Sequence, residues 1–241
     1  MTRFVVGTGG WSFPHWRGMF YPPGVPQKEW LAFYASRLAS VELQNTMYRL
    51  PKEHVVEAWR DAVPSTFAFA LKASRRITHE QRLENCAERV ALFADRIAPL
   101  REKLGAVLYQ LAPAFARDEG RLRTFLATLP RDQRAVFEFR HTSWFDDAIY
   151  ALLREYDAAL ALSDLAECPT PHDIVTAPFT YARLYGPGGD WKKNYDERAL
   201  RAWADRFRAL APAPEIAYIY LNNDQADAPA NAARLAALLS G

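Results

Sequence analysis

Ala135-Val136-Phe137-Glu138-Phe139-Arg140-His141-Thr142-Ser143-Trp144 reads as a buried strand that carries two opposite charges. Side chains alternate across an extended chain, so Val136, Glu138 and Arg140 share one face while Phe137 and Phe139 share the other. A strand covered on both faces is normally an unbroken apolar run. A carboxylate and a guanidinium left there cost on the order of several kcal/mol each unless they pair or face a wetted pocket. The stretch therefore predicts a buried strand whose end opens onto a site.

Outward from it, strands and helices alternate along the whole chain. Towards the N-terminus, strands are expected at 4–8, 40–45, 67–72 and 105–111, and towards the C-terminus at 159–163, 180–185 and 216–221, beside the one at 135–139. Helical spacing occupies 27–39, 52–63, 85–104, 118–129, 146–156, 196–210 and 229–239. The crossover over 165–177 offers only a turn or two. About eight such alternations in 241 residues predict an α/β protein, a TIM-type (β/α)8 barrel irregular around the sixth crossover, with an open doubly wound sheet as the other fold. No linker, repeat or low-complexity tract divides the chain, so a single domain is expected over 1–241.

Catalytic groups of such barrels sit at the carboxyl ends of the strands, on the residues whose parity points inward. Ser40, Glu42 and Gln44 oppose Val41 and Leu43; Ala70 and Lys72 oppose Phe69 and Leu71; Leu108 and Gln110 oppose Val107 and Tyr109; Arg183 and Tyr185 oppose Ala182 and Leu184. The polar set falls inward, and Glu42, Lys72, Gln110, Glu138, Arg140 and Arg183 converge. Asp164 and Asn222 end the sixth and eighth strands. Two carboxylates among cations can differ in protonation, as acid and base catalysis requires, and Lys72, Arg140 and Arg183 can hold an anion. The competing reading is a set of structural ion pairs that plug the lumen. His79, beyond the third strand, is a candidate acid, base or metal ligand, or a hydrogen-bonded loop residue.

Trp11, Trp16, Phe20, Tyr21, Tyr48, Trp144, Trp191 and Tyr195 fall on loops at that end, where rings can stack a base or sugar or pack the rim. The loop Gly186 to Tyr195 follows the seventh strand, a place where barrels often bind phosphate. Lys plus Arg number 30 against 28 for Asp plus Glu, so the net charge of +2 favours no polyanion, though a local patch remains open. Cys86 and Cys168 form no CxxC spacing, which argues against a disulfide scaffold or zinc ribbon and fits a reducing, cytoplasmic setting. No apolar run of about 18 residues or signal core is present, so no membrane partner is expected. Gly7-Thr8-Gly9-Gly10 lacks the last glycine of a dinucleotide loop, and His79-Glu80 lacks the second His of a zinc protease. His15, His54, His141 and His172 show no ligand spacing. A metal held by Glu42, Glu138, His79 and Asp164 is conceivable but demanded by nothing, and the cofactor and oligomeric state stay unknown.

Taken together, Gly7-Thr8-Gly9-Gly10-Trp11-Ser12, Val41-Glu42, Thr46-Met47-Tyr48-Arg49-Leu50-Pro51, Lys72-Ala73-Ser74-Arg75, Ile77-Thr78-His79, Tyr109-Gln110-Leu111, Phe137-Glu138-Phe139-Arg140-His141, Ser143-Trp144 and Asn222-Asn223 resemble the YecE-like family, the domain of unknown function 72. The resemblance implies a TIM-type barrel and no established activity. The resemblance brings with it a relation to endonuclease IV-like and sugar isomerase-like barrels that has been entertained at the level of fold only, and fold does not transfer function. This chain departs from the pattern at Gln44, where the second strand usually ends in Asn, and at Tyr185, where the seventh usually carries His. The second change removes a candidate metal ligand.

Three functions follow. The first is an enzyme of hydrolase or isomerase type acting on a small anionic or phosphorylated substrate. Glu42, Glu138 and His79 would be its acid–base groups, and Lys72, Gln110, Arg140, Arg183, Asn222, Trp11, Tyr48 and Trp144 its binding groups. The second is a nucleic-acid-binding or phosphodiester-processing protein that uses the rim, the Lys72–Arg76 segment and Lys192-Lys193. The third is a non-catalytic ligand-binding barrel.

Overall fold

Inward and outward parity are separated as two cores in the structure, a computed structural model that describes residues 1–171 and 174–241. His172 lies outside the described residues. Eight strands, β1 (Arg3–Thr8), β2 (Ser40–Leu43), β3 (Ala68–Lys72), β4 (Leu104–Gln110), β5 (Ala135–Glu138), β6 (Ala159–Ser163), β7 (Phe179–Leu184) and β8 (Ile216–Leu221), pair in chain order. The sheet closes where β8 lies parallel to β1, from Arg3 opposite Ile216 to Thr8 opposite Leu221. β1 meets β2 only at its last two residues, Gly7 opposite Ser40 and Thr8 opposite Val41, the kind of stagger that barrel closure requires.

Outward-facing Val41, Leu43, Phe69, Leu71, Val107 and Phe137 belong to the layer under the helices, as β-branched and aromatic residues on a covered face should. The lumen is filled asymmetrically: Ala70, Ala106, Ala159 and Ala161 leave space that Phe179, Tyr181, Tyr218 and Tyr220 occupy from the opposite wall. Small residues facing large ones bring a narrow barrel to close packing. Polar side chains at the strand ends sit above this plug.

The helices are α1 (Trp30–Ala35), α2 (Glu53–Asp61), α3 (Ala87–Ile97), α4 (Glu119–Leu126), α5 (Asp147–Glu155), α6 (Glu197–Arg208) and α7 (Ala228–Ser240). Asp118, Asp146, Asp196 and Asp227 cap the last four, each accepting from a backbone N–H, at 3.0 Å from Arg121, 2.9 Å from Ala148, 2.7 Å from Ala199 and 3.1 Å from Ala230. Helix α1 is shorter than its spacing suggests, because 27–29 form a 3₁₀ turn ahead of it. The described residues between β6 and β7 form no helix. Side-chain hydroxyls bind strand backbone there instead: Thr176 accepts from Leu160 N–H at 2.8 Å and donates to the Ala158 carbonyl at 2.7 Å, and Thr170 accepts from Ser163 N–H. Among the described residues, no helix is long and apolar enough to cross a membrane.

Candidate functional site

Arg183, on β7, is the centre of the polar layer. It is 1 % exposed and lies between two fully buried carboxylates, Glu42 of β2 and Glu138 of β5. Its Nε donates to the Glu42 oxygens at 2.9 and 3.1 Å and its Nη2 donates at 2.8 Å, while Nη1 reaches Glu138 Oε2 at 2.6 Å. The fork geometry of a guanidinium makes this two-sided pairing available to Arg and denies it to Lys. Tyr181 donates to Glu42 Oε2 at 2.6 Å, and Gln110 of β4 donates to Glu138 Oε2 at 2.9 Å. Arg140, just past β5, pairs with Glu138 Oε1 at 2.8 Å. The Tyr185 hydroxyl joins the two guanidiniums, accepting from Arg140 Nη2 at 2.6 Å and from Arg183 Nη1 and donating to Glu138 Oε1 at 3.1 Å. Both guanidiniums lie over its ring, 5.0 and 5.2 Å from the centroid. Tyr185 is thus a hydrogen-bond hub.

Lys72 ends β3 on the same inward face, buried, yet its ammonium makes no hydrogen bond or ion pair with a described residue. Burial, aided by the charge of Arg183, pushes it down to about 8, against the opposing pull of Glu138 and Glu42. His79 is coupled to the same group. It stands in a short π-helical turn, its Nδ1 is 2.9 Å from the Thr78 hydroxyl, and burial together with the charges of Lys72, Arg75 and Arg140 lowers its pKa.

The two carboxylates expected as an acid–base pair are both engaged by neighbours. Both oxygens of each are already bonded to Arg, Tyr or Gln. Burial by itself would raise Glu138, but the charges of Arg183, Arg140 and Lys72 and the Gln110 hydrogen bond outweigh it and hold the carboxyl at about 2. At neutral pH Glu138 is therefore an anion between Arg183 and Arg140. Among the described residues no group of three His, Cys, Asp or Glu side chains gathers to hold a metal ion.

Glu42, Lys72, His79, Gln110, Glu138, Arg140 and Arg183 are thus brought into one network. Asn222 stands beside it on another link: it accepts at 2.9 Å from Gln44 Nε2, which also donates to the Gly9 carbonyl at 3.0 Å. Trp11 lines a neighbouring cavity of about 190 Å³ with Phe13, Gln44 and Asn45. Tyr48 is 73 % exposed on the following turn. Trp144 does not reach the rim. It is fully buried, stacks on Phe139 at 4.9 Å and donates from Nε1 to the Phe115 carbonyl at 2.6 Å, so its place among the binding residues is corrected to packing. Trp16 and Tyr21 are buried in the same way. A cavity of about 410 Å³ between Leu126, Arg131, Ala135 and Asp157 lies at the opposite end, where β5 begins, and none of the inward polar residues lines it.

Tyr181 was absent from the sequence-derived set although its parity matches Arg183, so the same alternation rule points to it. Asp164, which the sequence places at the end of the sixth strand, accepts from Tyr185 N–H at 2.6 Å and from the Tyr195 hydroxyl, contacts no local pattern announces. Burial raises its pKa.

Among curated proteins, the chain is 33 % identical over 141 residues to UPF0759 protein YecE of Escherichia coli strain K12, an alignment covering 58 % of this chain and 49 % of that protein. It is 28 % identical over 153 residues to UPF0759 protein YunF of Bacillus subtilis strain 168, covering 60 % and 53 %. The chain thus spans about half the length of these relatives. Its fold matches the crystal structure of a DUF72 family protein from Thermotoga maritima with a TM-score of 0.88 at 24 % identity, covering 99 % of this chain and all of that one. A second DUF72 structure, from Enterococcus faecalis, matches with a TM-score of 0.83 at 22 % identity over 99 % and 96 %. The family model described as "Protein of unknown function DUF72" matches residues 5–241, and the chain belongs to that family.

Proposed function

We propose that the carboxyl-end face of the barrel binds a small anionic substrate and acts on it by proton transfer. One observation carries this: three cations, Lys72, Arg140 and Arg183, share the network with two carboxylates, Glu42 and Glu138, leaving one positive charge in excess, and among the described residues the Lys72 ammonium is the unpaired one. A carboxylate or phosphate group beside Lys72 would supply the partner that the protein withholds. Arg140 supports the same reading, since its Nε is buried without a hydrogen-bond partner. Arg183 is saturated by its two glutamates and acts as the brace that fixes both. The proton carriers are then Lys72, whose value of about 8 brings it towards neutrality, and His79, whose lowered pKa favours the neutral imidazole that can accept a proton.

The test is the melting temperature in inorganic phosphate, measured for the wild type, Lys72→Met and Arg140→Met. Phosphate should stabilise the wild type in a saturable way and lose most of that effect in both variants. An equal phosphate shift in Lys72→Met would refute the site.

A further inference from the structure

Building on the anion site just proposed, we infer that Lys72 is a nucleophile that forms an iminium with the carbonyl carbon of an anionic aldehyde or ketone, of the 2-oxo acid or sugar-phosphate class. The geometry supports it in three ways. Lys72 stands at the carboxyl end of β3 with its side chain in the inward set, where barrel substrates arrive. Among the described residues its amine is tied to no acceptor, whereas every other charged side chain of the network is fastened by hydrogen bonds. It also lies close enough to Arg183 and Arg140 to feel their charge, and adjacent cations together with desolvation are what free an amine for covalent work. The charged groups that face it are Arg183 of β7, Glu138 of β5, Glu42 of β2, Arg140 beyond β5, and His79 on its own loop. With the ammonium held at about 8, on the order of one molecule in ten carries the neutral amine at pH 7.

In the reaction the neutral Nζ adds its electron pair to the carbonyl carbon and the C=O π pair moves to oxygen. The oxygen leaves as water, taking one proton from the attacking nitrogen and one from solvent. The C=N bond that remains is positively charged, and the iminium can draw electrons from a neighbouring C–H or C–C bond. Arg140 would meet the carboxylate or phosphate at the far end of the substrate.

The experiment is reductive trapping on the whole chain. Protein is incubated with pyruvate, with dihydroxyacetone phosphate, or with neutral glyceraldehyde, then treated with sodium borohydride and analysed by intact mass and peptide mapping. One adduct on Lys72, saturable with one of the two anionic carbonyls and much weaker with glyceraldehyde, is expected. Pyruvate and dihydroxyacetone phosphate distinguish the carboxylate from the phosphate class. Lys72→Arg keeps the cation, so it should retain phosphate stabilisation and lose the adduct; Arg140→Met should raise the half-saturating concentration about tenfold or more. Scattered labelling of Lys28, Lys52, Lys192 and Lys193 that persists in Lys72→Arg overturns the inference. Phosphate stabilisation without trapping by either anionic carbonyl overturns the nucleophile and leaves the anion site standing. Labelling of Lys72 by glyceraldehyde as readily as by the anions overturns the anionic class and the anion site with it.

Discussion

Lys72 and Glu138 sit in one network and respond to it in opposite directions, which makes both testable by pH. Lys72 holds its proton less tightly in the fold, about 8 against 10.5 for an unperturbed lysine. Between those values the unfolded chain binds more protons, so the group's cost is full below about pH 8 and is relieved as pH rises towards 10.5. Lys72→Met should therefore stabilise the protein at pH 7, by up to roughly 3 kcal/mol in urea denaturation, with the gain shrinking above pH 8. A destabilised Lys72→Met would mean that the ammonium has favourable partners and would end its role as a withheld cation. Glu138 shows the reverse linkage. Its folded value of about 2 lies below the ordinary 4.5, so its contribution is present above pH 4.5 and is lost as pH falls towards 2. Stability should fall across that window by on the order of 3 kcal/mol from this residue, and Glu138→Gln should flatten the fall while costing a similar amount at pH 7, because it strands two guanidiniums. At this scale, strand parity made Glu42, Lys72, Gln110, Glu138 and Arg183 legible in the sequence, since alternation is a local rule. It could not tell a proton carrier from a brace, because that depends on which oxygens a partner 45 or 141 residues away has already occupied.

Among the elements, the helices of the second half were readable from their caps. The aspartate before each accepts a backbone N–H that would otherwise be unpaired, so Asp196→Ala should lower stability by about 1 kcal/mol without altering phosphate binding. The strand that carries Gly7 is a harder constraint. A Cβ there would lie 1.9 Å from the Ser40 carbonyl oxygen, which is backbone of β2 and cannot swing away. Gly7→Ala should thus part β1 from β2 at their short contact, and its loss in denaturation midpoint should exceed that of Gly9→Ala, whose clashes at 2.0 and 2.4 Å are with the side chains of Asn222 and Gln44. The start of α1 was less legible, and although the crossover after β6 was expected to be irregular, what its described residues do in place of a helix was not. Thr170 and Thr176 satisfy strand backbone through hydroxyls, and a lone threonine has no periodicity to reveal that.

At the scale of the molecule the barrel was legible because eight alternations leave few other topologies, whereas the two readings of the aromatic rim, ligand stacking and packing, separate only in three dimensions, because apolar rings at loop positions pack inward when they can. With Trp16, Tyr21 and Trp144 buried, the exposed rings among the described residues at this end are Tyr48 and Trp191. Nucleic acid would then be held mainly by charge, through the exposed Arg75, Arg76, Lys192 and Lys193. Two of these already have acidic neighbours, Arg75 with Glu80 at 3.8 Å and Lys193 with Asp190 at 3.3 Å. Four cations bound to single-stranded phosphates give a salt slope of at most about −3, and affinities of the non-specific kind, about 10⁻⁵ M or weaker at physiological salt. Fluorescence anisotropy with a labelled single-stranded oligonucleotide, titrated across salt, should give those values. Lys72→Met should leave them unchanged while removing the phosphate response, because the oligonucleotide is expected on the outer loops and the small anion inside the barrel mouth. Submicromolar binding that is lost in Lys72→Met would instead put a polynucleotide phosphate on Lys72 and make phosphodiester chemistry the better account of the network.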